Sequence, residues 1–338
     1  MALPVGHPPV HTGNVGLLLV NLGSPDAPEP RAVRRYLDQF LSDPRVVEIP
    51  PLLWQPILKG VVLNVRPAKS AAKYALIWDR ETNESPLRRI TREQAELLQG
   101  AFGRQVIVRH AMRYGNPSMQ SAVEALRAAG CDRICVAPLY PQYSGATTGS
   151  ALDELFRILK GQRWQPAIRT LPPYHDHPAH IAALKASLEQ SLSALDFEPE
   201  RILLSFHGMP RRTLDLGDPY HCQCRKTARL LREAMGRSEA EMPIAFQSRF
   251  GKAEWLQPYT QPMAEEMARQ GVKRLAVLTP GFSADCIETL EEIAMEVRDA
   301  FLTAGGNHFA ALPCLNLSQP GMEMLRNILG EALSGWIA

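Results

Sequence analysis

The chain repeats itself. GLLLVNLGSP (16–25) returns as RILLSFHGMP (201–210), MRYG (112–115) as SRFG (248–251), and GCDRICVAPLYP (130–141) as GVKRLAVLTPGF (271–282), in one order. An ordered repeat implies a single supersecondary plan used twice. The plan is legible from its hydrophobic runs. Strands are expected at 16–23, 105–112 and 133–140, and again at 201–208, 244–250 and 274–282. Short, continuous apolar runs closed by Gly or Pro suit parallel strands covered on both faces. Amphipathic helices are expected between them, at 118–130, 150–160 and 180–195. Strand and helix alternate, which gives an α/β fold with parallel sheets in two similar three-layer domains. The domains are expected over 12–168 and 169–317. The first carries an apolar insertion at 46–66, too broken for a core helix, and a helical segment at 318–338 packs back across the pair.

Charge narrows the function. Lys and Arg total 37 against 35 for Asp and Glu, without a basic stripe, so nucleic acid is not expected as a partner. The greasiest stretch, 46–65, is interrupted by Glu48, Pro50, Pro51, Pro56 and Lys59, and cannot be a spanning helix. The first 14 residues hold no Lys or Arg and no apolar core. Neither a secretory signal nor a transit peptide is expected there, and the chain reads as bacterial and cytoplasmic. Six cysteines in 338 residues read as reduced thiols.

In parallel α/β sheets ligands bind at the carboxyl ends of strands, so the repeat locates a site. Differences between its copies locate the chemistry. Leu22 ends the first strand of one half and His207 the first strand of the other. An imidazole there can accept a proton or bind metal; a core histidine bonded to a backbone carbonyl is the competing reading. After the third strand, SGATTGSALDELF (144–156) stands against the carboxylate-rich SADCIETLEEIAMEV (283–297). Glu288, Glu292 and Glu296 recur every four residues, one face of a helix. They form either a solvated acidic face or a ladder for protons and cations. Asp285 is expected to cap that helix. The 145–150 run has the small residues of an anion site at a helix start, with a Ser150 cap as the alternative. His221, Cys222 and Cys224 resemble a metal clip but lack a fourth ligand. His175, His177 and His180 suit turn and capping roles. The 46–66 insertion, followed by Arg66, Lys69 and Lys73, makes an apolar lip beside basic residues. It suits a flat carboxylate-bearing ligand, a membrane surface or a dimer contact.

Taken together, the segments LLLVNLGSPD (17–26), MRYGNPSM (112–119), PLYPQYSGATTGS (138–150), LLSFHGMP (203–210), GDPYHCQC (217–224), FQSRFGKAEWLQPYT (246–260) and PGFSADCIETLEEI (280–293) resemble the ferrochelatase family. The resemblance runs from about Gly16 through most of the chain. It implies two Rossmann-like, chelatase-like domains with a porphyrin between them, and insertion of Fe²⁺ into protoporphyrin IX with loss of two protons, the terminal step of haem biosynthesis. By that resemblance His207 and Glu288 are catalytic. His207, Glu288, Glu292 and Glu296 handle the metal, and Leu22, Arg113, Tyr114, Tyr140, Ser144 and Trp255 line the porphyrin pocket. Cys286 stands where many members have His. No cofactor beyond the substrate iron is implied. A [2Fe–2S] cluster, which in some members accompanies a cysteine-bearing C-terminal extension, is not expected. A monomer touching a membrane peripherally through 46–66 is expected, with a dimer as the alternative. Other readings are a coproporphyrin ferrochelatase, another tetrapyrrole chelatase, and a non-catalytic haem carrier.

Overall fold

The computed structural model describes residues 5–7, 13–249, 251 and 253–337. Residues 1–4, 8–12, 250, 252 and 338 lie outside these, including ends of the expected segments 12–168, 244–250 and 318–338.

The first half runs β1 (Asn14–Ser24), α1 (Pro30–Leu41), α2 (Pro51–Ile57), α3 (Leu63–Ile77), α4 (Pro86–Phe102), β2 (Val106–Gly115), α5 (Met119–Ala128), β3 (Cys131–Pro138), α6 (Ser150–Lys160) and β4 (Ala167–Thr170). The second runs α7 (Pro178–Ser193), β5 (Arg201–His207), α8 (Arg211–Asp215), α9 (Tyr220–Met235), β6 (Ile244–Gln247), α10 (Thr260–Arg269), β7 (Arg274–Leu278), α11 (Arg298–Thr303), β8 (His308–Ala311) and α12 (Gln319–Leu333). The sheets have the orders β2-β1-β3-β4 and β6-β5-β7-β8, parallel throughout, so the same plan is built twice.

The structure corrects the expected register at one place. MRYG does not superpose on SRFG. The Met112 N–H donates to the Pro117 carbonyl and the Phe246 N–H to the Pro258 carbonyl, each at 2.8 Å, which makes Met112 and Phe246 the equivalent pair. Arg113 therefore corresponds to Gln247, and Tyr114 to Ser248. A four-letter match is too short to fix register, whereas ladder hydrogen bonds do. Strands β6 and β7 also stop earlier than expected, at Gln247 and Leu278, because the chain turns out of the sheet there.

Leu17, Leu19, Val108, Ile202, Leu204 and Phe206 share one core with residues of α4, α7, α9 and α12, which fill the space between the two sheets. The outer faces are covered separately: α5 and α6 over the first sheet, α10, α11 and the 288–297 helix over the second. Helix α12 packs on α7, α4 and β3. The 46–66 segment, expected to be too broken for a core helix, is helical from Pro51 onward. A π-turn at Leu58–Val62 joins α2 to α3. One face is open, with Leu52 90% exposed and Leu53 65%, while Leu58 and Leu63 are buried in a cluster with Tyr36 and Tyr74. Among the described residues no helix is long and apolar enough to cross a membrane.

Candidate active site

Strand β5 is buried from Ile202 to Phe206 and delivers His207, half-buried, to the carboxyl edge of its sheet. The turn that follows requires Gly208. A Cβ there would lie 2.5 Å from the Gln247 carbonyl oxygen and 3.2 Å from the Trp255 ring. His207 Nδ1 lies 2.6 Å from the Gly208 carbonyl oxygen. A carbonyl only accepts, so Nδ1 carries a proton, which in the neutral ring leaves Nε2 its lone pair. The Tyr220 hydroxyl fixes the same residue by donating to the His207 carbonyl at 3.0 Å.

Gln247 joins this edge to the acidic segment. Its Oε1 accepts from the Ser205 hydroxyl at 2.7 Å, and its Nε2 donates to the Glu288 carbonyl at 2.9 Å. Residues Glu288–Val297 form a π-helix rather than the α-helix assumed from the four-residue spacing. Its wider turn is a rarity that concentrates at functional sites. The three carboxylates then meet different surroundings. Glu288 is half-buried beside Cys286 and the Tyr74 and Tyr36 phenols. Glu292 accepts from the Ser248 N–H at 2.7 Å and from the Ser248 hydroxyl. Ser248 reaches both by adopting φ 64°, a left-handed conformation uncommon outside glycine. Burial pushes the Glu292 carboxyl above its usual range, against the pull of Ser248 and of nearby His207; the Glu288 charge adds to the rise. Glu296 is exposed and pairs with Lys73 at 2.8 Å. Among the described residues no three His, Cys, Asp or Glu side chains converge closely enough to hold a metal ion. The acidic groups are separate steps rather than a closed cage.

The first half supplies the facing wall. Tyr36 and Tyr74 meet edge to face at 6.4 Å, and burial, aided by the Glu288 charge, raises both phenols, so they stay protonated. Leu22 is half-buried between this aromatic cluster and a patch containing Cys286. The Tyr140 hydroxyl and the Trp255 indole N–H are buried without hydrogen-bond partners among the described residues. Arg113, Tyr114 and Ser144 are committed to their own chain. Arg113 donates to the Ser150 carbonyl and to Asp43 at 2.6 Å; Tyr114, 1% exposed, donates to Asp43 at 2.8 Å. Ser144 donates to Asp218 at 3.3 Å.

Other sequence readings change. Cys222 is exposed while Cys224 is fully enclosed, and His221 stacks on Phe246, so the three do not form a metal clip. The anion at the 145–150 turn is the chain's own Asp218, which accepts from the Gly145 N–H at 2.8 Å. The cap there is Ser144, not Ser150. Asp285 does not cap the acidic helix; it holds Asn316 and Thr289. His177 caps α7 through the Ala179 N–H, and His180 is enclosed. Sequence reasoning missed Gln247, Ser248, Tyr36, Tyr74 and Asp43. The repeat carried a signal for the first two, hidden by the two-residue register error.

Comparison with known proteins adds independent weight. The family model described as Ferrochelatase matches residues 14–333, from the first residue of β1 to the last of α12. A protein named Ferrochelatase from Rhizobium meliloti (strain 1021) is 54% identical over 333 residues, covering 98% of each chain. Another with that name, from Agrobacterium fabrum, is 53% identical, covering 99% of this chain and 98% of its own. Among solved structures, SirB from Bacillus subtilis with Fe³⁺ covers 95% of this chain and 96% of its own, with TM-score 0.55 and 12% identity, a likeness of fold. A duplicated sheet, a histidine on the strand end of one copy only, and relatives more than half identical along the whole scaffold lead to one conclusion: the chain belongs to the ferrochelatase family.

Proposed function

We propose that this ferrochelatase inserts Fe²⁺ into protoporphyrin IX, with His207 and Glu288 as the groups that meet the macrocycle. The observation that carries the reading is the Gln247 bridge. One side chain ties the strand that ends in His207 to the backbone of Glu288, and both groups act on the charge of Glu292.

A free porphyrin holds two N–H protons that must leave as the metal enters. His207 Nε2 is a preoriented acceptor for one, its tautomer held by Gly208. Glu288, in a partly dry niche, is the second acceptor. Glu292, made more basic by burial, passes protons outward to the exposed Glu296. The same carboxylates guide Fe²⁺ inward. Imidazole with carboxylate suits ferrous iron, and an open arrangement lets it go. Leu22, Tyr140 and Trp255 grip the ring, and binding energy spent there bends it and exposes its nitrogens. Arg113, Tyr114 and Ser144 support that wall from behind.

The apolar 46–66 lip favours the less charged protoporphyrin over coproporphyrin. We read it also as a peripheral contact for a membrane, on a cytoplasmic monomer. The units 12–168 and 169–317, with 318–338 across them, are our division of the chain. The test is anaerobic turnover of Fe²⁺ with protoporphyrin and coproporphyrin in parallel, followed by loss of porphyrin fluorescence. Faster turnover of protoporphyrin is expected, as is loss of turnover without loss of porphyrin binding in Glu288→Gln. Faster coproporphyrin turnover overturns the substrate choice. Full turnover by Glu288→Gln overturns the site.

A further inference from the structure

One side chain makes two ion pairs from the end of the lip to the acidic helix. Lys73 lies on α3, in the part of the first half that has no counterpart in the second. Its Nζ donates to Glu291 at 3.0 Å and to Glu296 at 2.8 Å, both on the far side of the cleft in the second half. Glu291 is buried, its side chain 8% exposed, whereas Glu296 is open at 47%. A buried carboxylate needs a cation or hydrogen-bond donors, and Lys73 is the cation Glu291 has. The next residue, Tyr74, is buried against Tyr36 beside Glu288. The position of α3 therefore sets both the mouth of the cleft and part of its wall. A second tie, Glu48 to Arg212 at 3.7 Å, joins the start of the lip to α8 between two exposed side chains. An exposed pair of that length contributes little. Leu63, Ala71 and Tyr74 pack α3 into an apolar cluster that Ile287 borders, and Lys73 is the charged tie that holds α3 to Glu291 and Glu296.

We propose that Lys73 is a positioning residue that docks the lip helix on the acidic ladder, and that a divalent cation entering at Glu296 must displace it. The proposal rests on reading the ladder as the metal's path. The ammonium and an incoming metal are alternative occupants of the same carboxylates, because two adjacent cations repel. A metal at the outer rung releases α3 and loosens the mouth. Once the metal has moved inward, Lys73 returns and closes it. Metal entry and access to the cleft are thereby coupled through one flexible side chain.

The experiment uses the full chain and two variants. Lys73→Met keeps the stem and removes the charge; Lys73→Arg keeps the charge. Hydrogen exchange over 58–77 is read without metal and with Co²⁺ alone, and KM is measured for Fe²⁺ and for porphyrin. In the unmodified protein Co²⁺ is expected to speed exchange in α3. Lys73→Met is expected to exchange about tenfold faster without metal, to ignore Co²⁺, and to show a lower KM for Fe²⁺ with a higher KM for porphyrin. Lys73→Arg is expected to restore slow exchange. Unchanged protection of α3 in Lys73→Met overturns the docking role. An unchanged KM for Fe²⁺, or exchange in the unmodified protein that does not respond to Co²⁺, overturns the competition. Glu292→Gln, which has no bond to Lys73, tests the ladder separately. An unchanged KM for Fe²⁺ in that variant removes the ladder reading, while exchange in Lys73→Met still reports on docking.

Discussion

At the end of β2, Arg113 donates from Nε to the Ser150 carbonyl at 3.0 Å; at the end of β6, its equivalent Gln247 donates from Nε2 to the Glu288 carbonyl at 2.9 Å. Each grips the helical segment that follows the third strand of its own sheet. The next pair is equivalent as well: Tyr114 donates to the Asp43 carboxylate and Ser248 to the Glu292 carboxylate. The mechanics are shared and the charge is not. In the first half an arginine comes with the grip, and it neutralises Asp43 at 2.6 Å. In the second half Lys73 compensates Glu291 and Glu296, but the grip is a neutral amide and brings no cation to Glu288 or Glu292. Their charge stays available to a proton or a metal. A duplicated scaffold gains a reactive copy here by replacing a cation with an amide and a leucine with a histidine.

The strongest way to break the comparison is to make the copies alike at the first strand. His207→Leu installs the residue of the first half, and turnover is expected to fall by about 10³-fold, the scale of a lost acid–base group. Thermal unfolding should stay close to that of the unmodified protein. Normal turnover would mean that the copies do not differ in the way described. Next comes the neutralised copy. Asp43 accepts from Arg113, Tyr114 and Ser150, and Asp43→Asn is expected to cost about 3 kcal/mol by leaving the half-buried Arg113 guanidinium without its carboxylate. The Asp43 carboxyl is held below its usual range: burial opposes ionisation, but bonds from Ser150, Arg45 and Tyr114 and the Arg113 charge prevail. A lowered carboxyl stabilises the fold above its ordinary pKa, and that contribution is lost as pH falls through the lowered value. Denaturant titrations from pH 7 down to about pH 3 should show this acid loss in the unmodified protein and a flatter profile in Asp43→Asn.

A smaller effect is expected from Gln247→Met, which keeps length and removes the amide. About 2 kcal/mol of stability should go with the two hydrogen bonds, since the Glu288 carbonyl loses its donor and Ser205 is left with Thr260. kcat should drop about tenfold, the kinetic equivalent of a modest misplacement of Glu288. If kcat stays fixed while stability falls, the bridge is structural only. The smallest effect separates two neighbours. Cys222→Ser, at an exposed thiol, should stay within about 0.5 kcal/mol. Cys224→Ser sets a hydroxyl in a fully enclosed core position and should cost about 1–3 kcal/mol.

Most of the scaffold was legible because buried parallel strands are written as unbroken apolar runs. β4 and β8 escaped for the opposite reason. Each is a four-residue strand at the edge of its sheet, with little buried side chain to pattern. His207 and Glu288 could be located because they mark where one copy departs from the other. Gln247 could not, because its partner in the repeat was misassigned by two positions. Lys73, Tyr36 and Tyr74 had no partner to be compared with at the site; they reach it through tertiary packing of a segment unique to one half. The π-helix was invisible for a related reason: four-residue spacing is compatible with either helix, and what decides is how Gln247 and Ser248 pull on the backbone and side chains.

The seating of α12 has a consequence for synthesis. Met324, Leu325, Ile328 and Leu329 belong to the same core as Leu17, Leu19 and Val108 on the inner face of the first sheet. Arg169 at the edge strand β4 donates to the carbonyls of Ala332 and Ser334 and lies over the Trp336 ring. A ribosome finishes β4 at Thr170 and reaches α12 only at Gln319. At ordinary elongation speeds the interval is on the order of 10 s. Throughout it the nascent first sheet has its outer helices in place, and its inner face is covered by α4 but not yet by α12. The early half must be shielded or kept loose until the late segment arrives, so the yield of folded enzyme is set by an encounter between residues made at opposite ends of translation.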